Sequence, residues 1–243
     1  MMNKSLALLA VLGCFSQSGM AATIDMGLIT TAGGQTAFRA LSEDLGSALS
    51  YKALTPPTSL GWTGFDIGVE ATYTQMAKSE ATLKTLTGGT SVPGLIVPKL
   101  HAYKGLPFDI DVGAFISQEP TTGIQVTGAE IRYGILPGSM ALPAIGLRGA
   151  FTQLSGVDKL SFSTTSVDLS ISKGFLMFTP YAGVGLVQVS SSTSAVASIT
   201  SESFTQNKYF AGGNFNMGLM NIAVEWDQTG DAQSYGAKFG FRW

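Results

Sequence analysis

From Gly61 to the last residue, apolar and polar positions alternate with a period of two. In residues 61–76, polar residues and glycines separate the apolar set Phe65, Ile67, Val69, Ala71 and Tyr73. Ten such segments can be counted, the other nine covering residues 94–103, 107–118, 123–136, 142–154, 160–172, 175–189, 208–218, 221–227 and 232–243. An even number suits a single-chain bacterial barrel whose ends lie on one side. We therefore predict an all-β, up-and-down antiparallel transmembrane β-barrel of about 10 strands over residues 61–243.

Charged residues in these strands take the parity opposite to the apolar residues, so we expect them to face the lumen. Closure of the barrel would bring Asp66 and Glu70 of the first strand beside basic residues of the last strand. Those residues are Lys238 and Arg242, and opposite charges favour the pairing. The predicted lumenal charge network consists of Asp66, Glu70, Lys99, His101, Asp109, Asp111, Glu130, Arg132, Arg148, Asp168, Lys238 and Arg242.

A second expectation about register concerns two arginines. A symmetric turn at residues 137–141 would set Arg132 against Arg148, and two facing guanidinium groups repel each other. We expect Glu130 or Asp168 to lie between them, so that these side chains form one shared network.

Three features favour a lipid-facing barrel over a soluble β-sandwich, which can show the same alternation. Connections at residues 77–93 and 190–207 are long, whereas those at residues 104–106, 173–174 and 219–220 are tight, as in barrels with short periplasmic turns. Aromatic residues lie near strand ends, where they would form a periplasmic girdle (Phe65, Tyr133, Phe178, Phe241, Trp243) and an outer girdle (Tyr73, Phe151, Phe162, Trp226, Tyr235). The last strand ends on an aromatic residue, and Phe239, Phe241 and Trp243 resemble the carboxy-terminal assembly signal of outer-membrane barrels.

The alternation is imperfect at four places. Its phase slips near Gly128 and again between Phe162 and Val167, and a β-bulge at each place would restore it. Pro98 and Pro180 lack the N–H of a ladder donor, so we predict bulges or unpaired positions there as well.

The first 21 residues have the character of a cleavable signal peptide. Lys4 gives a positive start, residues 6–15 form a short apolar run, and cleavage is predicted after Ala21. An alternative is lipoprotein processing, with Cys14 as the lipidated first residue.

Residues 22–60 form a separate N-terminal segment. Within residues 35–52, Phe38, Leu41, Leu45 and Leu49 recur at intervals of three and four, which predicts an amphipathic helix ended by the prolines that follow. This helix could close the barrel from below or enter it, its leucines covering lumenal residues such as Met177 or Phe210. The alternative is a helix resting at the periplasmic mouth or on the membrane surface.

Composition and charge exclude some classes of function. Charged residues make up only 12% of the chain and the formal net charge is −2, so nothing indicates nucleic-acid binding. The mature chain would carry one histidine and no cysteine, which cannot form a usual zinc site, and we predict no metal or other cofactor.

His101 is the one candidate for acid–base chemistry. It has the polar parity near a tight turn, and Asp109 and Asp111 on the returning strand are expected to be its cross-strand neighbours. A histidine with a carboxylate and a serine could act as base, orienting group and nucleophile. Enzymes acting at the cell surface place such groups near the outer leaflet, however, so we expect a lumenal histidine held by an aspartate and no catalytic residue.

Six segments are spread over residues 60–187, namely LGWTGFDIGVEATY, KGLPFDIDVGAF, GAEIRYGIL, LRGAFTQLSGVD, DLSISKGF and TPYAGVGLV. They resemble recurring blocks of a group of uncharacterised small outer-membrane β-barrels of Gram-negative bacteria. The resemblance implies fold and location and carries over no site.

The sequence thus predicts an exported, non-enzymatic outer-membrane barrel with a structural role or a porin-like role as a narrow channel or binding site for a small solute. Its partners would be outer-membrane lipid, the barrel assembly machinery and such a solute. Two alternatives remain open: recognition or adhesion through the outer loops, in which the segment from Ser190 to Gln206 would be solvated and mobile, and a hydrolase using His101.

Overall fold

The computed structural model describes residues 24–120, 122–139 and 141–243. The predicted signal peptide, its cleavage site and the alternative processing site at Cys14 lie outside these residues. Within the described chain, no helix is long and apolar enough to cross a membrane.

Ten antiparallel strands form a closed barrel in which each strand pairs with its neighbours in sequence and β1 pairs with β10. This confirms the predicted fold class. The strands are β1 (Phe65–Gln75), β2 (Gly94–Gly105), β3 (Ile110–Gln118), β4 (Gln125–Leu136), β5 (Ala144–Ser155), β6 (Leu160–Ser172), β7 (Phe178–Thr193), β8 (Glu202–Met217), β9 (Met220–Thr229) and β10 (Ala232–Arg242). At the seam, Asp66 lies opposite Arg242 and Glu70 opposite Lys238, which confirms the expected register.

The two ends of the barrel differ. The turn end carries the start of β1, the end of β10 and short connections such as residues 218–219. The loop end carries residues 76–93, which include helix α2 (Glu80–Leu86), and residues 194–201. The predicted long mobile connection at residues 190–207 is wrong, because β7 continues to Thr193 and β8 begins at Glu202.

An apolar belt surrounds the outside of the barrel. Large aliphatic side chains at the middle of the strands are about half exposed, namely Ile131 (54%), Val167 (52%), Leu169 (47%), Val184 (52%), Leu186 (54%) and Val224 (51%). On β7 the belt ends beyond Leu186, since the next outward residues, Gln188 and Ser190, are exposed and polar. A continuous apolar belt of this kind is typical of a surface that faces lipid.

One of our expectations was that the N-terminal segment closes the barrel from the turn end. The structure places this segment differently. A short 3₁₀ helix (Met26–Ile29) and helix α1 (Gln35–Leu49) occupy the loop end, and residues 50–64 run through the lumen to the turn end. Met177 is 63% exposed in a turn, and Phe210 packs with Ala53 and Tyr181, so neither is covered by the leucines of α1. Helix α1 does enter the barrel, as one alternative predicted, and it does not rest outside at the mouth or on the membrane surface. It lies at the loop end because apolar wall residues there bury its leucines.

The predicted bulges are also wrong. Among the described pairings, register shifts only between Gly134 and Leu136, while the ladders run without a shift through Gly128 and residues 162–167. Pro98 pairs with β1 and Pro180 with β8, but neither belongs to the ladder on its other side, with β3 or β6, so the unpaired positions predicted there are confirmed. The apolar parity changes for another reason: Val126 and Phe162 point into the lumen near the loop end. Phe162 is therefore 1% exposed and does not belong to an outer girdle.

The belt gives a direct test of the lipid-facing surface. Leu169 lies near the centre of the belt, beside Leu147 and Val184 on the adjacent strands. We expect Leu169→Arg to lower the free energy of unfolding in lipid vesicles by about 2–4 kcal/mol, because an arginine near the bilayer midplane must leave water. Denaturant titration measures this loss. Leu169→Ala is the control, and equal stability of the two variants would show that Leu169 does not face lipid.

Candidate functional site: the lumen

The inner wall carries charged side chains from the turn end to the middle of the barrel. Most of the residues predicted for the network are almost fully buried there: Asp66, Glu70, Lys99, His101, Asp111, Glu130, Arg132, Arg148, Asp168 and Lys238 are each no more than 6% exposed. Arg242 is half-buried at the turn end. Phe239, Phe241 and Trp243 are on the outer face, between 42% and 55% exposed.

Asp109 is an exception and must be removed from the predicted set. It lies in the turn between β2 and β3, is exposed, and has a φ of +57°. The expected contact between His101 and the aspartates of β3 is wrong too, because His101 lies opposite Phe115 and Asp111 lies opposite Gly105. The turn is longer than the sequence indicated, which shifts the aspartates toward the turn end.

His101 is held instead by two carboxylates of β1. Its Nε2 lies 3.2 Å from Asp66 Oδ1, and its Nδ1 lies 2.9 Å from Glu70 Oε1, although without hydrogen-bond alignment. The side chain is fully buried, no serine is among its described partners, and no group of the described residues has the composition of a metal site.

The two facing arginines share carboxylates as expected. Arg132 and Arg148 are directly opposite each other on β4 and β5. Glu130 lies between them, with Oε1 3.0 Å from Arg132 Nε and Oε2 3.6 Å from Arg148 Nη1. Asp168 completes the group by accepting a hydrogen bond of 2.8 Å from Arg148 Nε.

Residues 50–64, which we call the plug segment, fill the polar half of the lumen. Tyr51, Lys52 and Leu54 are at most 2% exposed. Lys52 Nζ lies 2.5 Å from Asp227 Oδ1, and the Leu54 N–H donates a 2.9 Å hydrogen bond to Glu225. The space left beside the plug segment at Arg132 and Arg148 is about 10 Å³, enough for roughly one water molecule.

The wall also binds the plug segment through main-chain groups. Lys208 Nζ donates to the Tyr51 carbonyl at 2.6 Å, and Arg242 donates to the Thr58 carbonyl at 3.3 Å. Near the turn end, the Leu60 N–H donates to Asp111 at 3.0 Å. These contacts satisfy buried main-chain groups that have no sheet or helix partner.

The predicted network was incomplete. Lys208, Glu225 and Asp227 have the lumenal parity expected of charged strand residues, but they were left out of the predicted set. Lys52 gave no such signal, because it falls at the end of the predicted helix. Tyr181, whose hydroxyl donates to Glu225 at 2.9 Å, was missed as well.

At the loop end, acidic residues of α1 fix the helix to the adjacent loop. Asp44 accepts hydrogen bonds of 2.8 Å from both the main-chain N–H and the hydroxyl of Ser79, and burial raises the pKa of its carboxyl despite these bonds. Lys78 Nζ lies 2.6 Å from carboxylate oxygens of both Glu43 and Asp231. Burial opposes ionisation of Glu43, but hydrogen bonds from Lys78 and Arg39 outweigh it and lower the Glu43 pKa.

The loop-end half of the inner wall is largely apolar on β4–β7, whereas β1, β9 and β10 carry buried hydroxyl groups there, those of Thr74, Thr229 and Ser234. Val126, Leu154, Phe162, Val187 and Val189 point inward there, and the phenyl ring of Phe38 and the leucines of α1 belong to the same buried cluster. The lumen therefore has two parts, a charged half that holds the plug segment and an apolar half that holds α1.

Comparisons with known proteins support no closer assignment. The sequence matches no protein-family profile and no curated protein. The structure is similar to the N-terminal β-barrel domain of OprF from Pseudomonas aeruginosa (13% identity, 75% of this chain and 99% of that chain, TM-score 0.39). It is also similar to Ail, the attachment invasion locus protein of Yersinia pestis (14%, 74% and 97%, 0.27), and to Neisserial surface protein A (9%, 73% and 95%, 0.28). We infer no role from similarities of this size.

The buried pair of Lys52 and Asp227 predicts an unequal response to its two neutral variants. Asp227→Asn leaves Lys52 without a described carboxylate partner and should lower the free energy of unfolding by about 3–5 kcal/mol. Lys52→Met should cost less, because Asp227 still faces Lys208 at 3.9 Å and accepts a hydrogen bond from Thr229. Denaturant titration in lipid vesicles compares the two, and the reverse order would contradict this account of the plug segment.

Proposed function

We propose that the protein is a non-enzymatic barrel of the outer membrane that binds a small solute and is closed to free passage by its own plug segment. The observation that carries this proposal is the filling of the polar lumen by residues 50–64, with Lys52 fully buried against Asp227. The apolar belt and the aromatic end of β10 support the membrane location.

A ten-strand barrel of this type has little interior space to begin with. Eight strands leave an interior that side chains fill, and a water-filled channel needs a much wider barrel. Here the wall side chains and the plug segment share that space, so a solute could pass only if the plug segment moved. We therefore favour a binding role over the channel role in the closed conformation.

The environment of His101 supports a non-enzymatic role. Both ring nitrogens face carboxylates, and the ring is buried beneath the plug segment where a substrate has no access. A general base needs a free nitrogen within reach of the proton that it removes. The hydrolase alternative would therefore require both the carboxylates and the plug segment to move.

Single-channel recording in planar bilayers tests the closure. We expect the mature protein to show no steady conductance, because the plug segment occupies the lumen. Lys52→Asp sets a negative charge against Asp227 and should produce opening events by expelling this part of the plug segment. Lys84→Asp, an equal charge reversal at an exposed site on α2, is the control and should stay silent. Steady conductance of the unaltered protein would overturn the proposal of a closed barrel.

Recognition through the loop end is a second candidate, and the length of one hairpin favours it. Strands β7 and β8 have 16 residues each, whereas β9 has 10 and β10 has 11, so β8 projects beyond β9 at the loop end. On the other side of the hairpin, β7 is paired with β6 as far as Thr193. The outward residues of the hairpin at this end, such as Gln188, Ser190 and Thr205, are polar and exposed. Replacing residues 194–201 with a short glycine turn should abolish cell-surface binding if this hairpin recognises a partner, and should leave it unchanged otherwise.

A further inference from the structure

The apolar half of the lumen contains a cavity that α1 does not fill. Helix α1 packs most closely against β1, β7 and β10, and a Cβ on Gly46 would come within 2.6 Å of Val189 and Gln206. Toward β2–β6, a cavity of about 90 Å³ remains beside the helix. Its lining includes Leu41 and Leu45 of α1, Val97 of β2, Val126 of β4, Leu154 of β5 and Leu160 of β6.

The chemistry of the lining is narrow. Among the described residues that line the cavity there is no aromatic ring and no lysine, arginine or histidine. Aliphatic side chains make up most of the surface, and the few polar residues of the lining are Thr87 and residues 117–119 at the end of β3. Such a lining gains nothing from a charged ligand and suits a flexible hydrocarbon.

The cavity is unusual for the inside of this protein. Interiors are normally packed with few voids larger than a water molecule, and an apolar void forfeits the contacts that its lining would otherwise make. The polar half of the same lumen is closely packed, since a cavity of about 10 Å³ is left beside the plug segment at Arg132 and Arg148. Apolar cavities of about 150 Å³ stay dry and take up small apolar molecules, and this cavity is of comparable size.

The N-terminus of the mature chain is a poor candidate to fill the space. Ile24 lines the cavity. If the signal peptide is cleaved after Ala21 as predicted, only Ala22 and Thr23 precede Ile24. Neither is a large apolar residue. After that cleavage, an occupant would come from outside the chain.

We propose that this cavity binds the hydrocarbon chain of a neutral amphiphile, such as an aliphatic alcohol or ester, with the polar head beside Ser117 and Gln118. Among the described residues of the lining, no cation would pair with an anionic head. The inference deepens the proposed binding role and rests on it, but it does not require the plug segment to stay closed. The chain can come from a membrane lipid or from a dissolved molecule.

Photolabelling of the mature full-length protein in lipid nanodiscs tests the proposal. The probe is a short-chain aliphatic alcohol that carries a diazirine, and labelled positions are mapped by mass spectrometry. Labels on the outer belt serve as an internal control, because the probe also dissolves in lipid. We expect additional labels on the inward residues of the cavity, Leu45, Val126 and Leu154, and strong competition by the unlabelled alcohol but not by the carboxylate of the same chain length.

Two variants that fill the cavity sharpen the test. Val126→Phe and Leu154→Phe should each reduce labelling of the cavity at least about tenfold, equivalent to about 1.4 kcal/mol of binding free energy, and leave the belt labels unchanged. Val184→Phe, the same kind of enlargement on the lipid-facing side, is the matched control. Heat-modifiable gel mobility shows which of the two filled variants folds, and one folded variant is sufficient.

The labelling pattern decides whether the cavity binds the alcohol. Cavity labels that disappear in a filled variant support the proposal, and native mass spectrometry then assigns the source as a retained lipid or a dissolved molecule. Belt labels without cavity labels, cavity labels that persist in the filled variants, or equal competition by the carboxylate would overturn it. Conductance of the unaltered protein would overturn the closed barrel and leave these labelling results standing, so the two failures are distinguishable.

Discussion

Charge buried inside a closed wall is the constraint on which the rest of this structure depends. An ionisable side chain that a strand turns inward loses its water and must recover the lost interaction from a partner. The wall does this in part by sharing, as when Glu130 lies between Arg132 and Arg148. Where the wall alone does not suffice, the plug segment supplies Lys52 and main-chain groups. The plug segment is therefore part of the interior of the barrel.

The polarity of the lumen also determines where each part of the N-terminal segment lies. Its leucine-bearing part is helical and lies where the inner wall is apolar. Its proline-containing part cannot continue the helix, since Pro56 and Pro57 lack the N–H that a helix needs. An extended chain exposes its carbonyl and N–H groups, and the charged half of the wall binds these groups. The helix thus suits the apolar half of the lumen, and the extended chain that contains the prolines suits the charged half.

The barrel was predictable because the alternation of apolar and polar residues recurs in every strand. A wrong assignment of one residue to the inner or outer face does not change the assignment of the whole strand. The seam between β1 and β10 followed from complementary charges at both ends of the chain. The bulges expected near Gly128 and Phe162 were wrong because periodicity alone assumes one polarity for the whole inner face. Val126 and Phe162 are apolar residues of the inner face. In the sequence pattern they therefore look like outward-facing residues, which suggests a bulge where there is none.

The position of the plug segment could not be predicted from the sequence for a different reason. A pattern reports which face of an element is apolar, but not which distant surface will cover it, and an apolar half-lumen was needed to place α1. Asp109 shows the same limit at short range. Its parity fits the lumen, yet a turn with positive φ at both Phe108 and Asp109 carries it out of the ladder.

The course of the plug segment also links its placement to barrel closure. Residues 61–64 reverse the chain at the turn end, with Gly61 at a φ of +73° and the Gly64 N–H bound to the Gly61 carbonyl at 2.9 Å. Strand β1 then runs back toward α1, so the two ends of the plug segment are attached at opposite ends of the barrel. Threading α1 through a closed lumen would force a helix past charged walls that leave little free space. Pairing of β1 with β10 around a plug segment already in place avoids that barrier, and the contact of Lys238 with Asp66 then joins the seam over it.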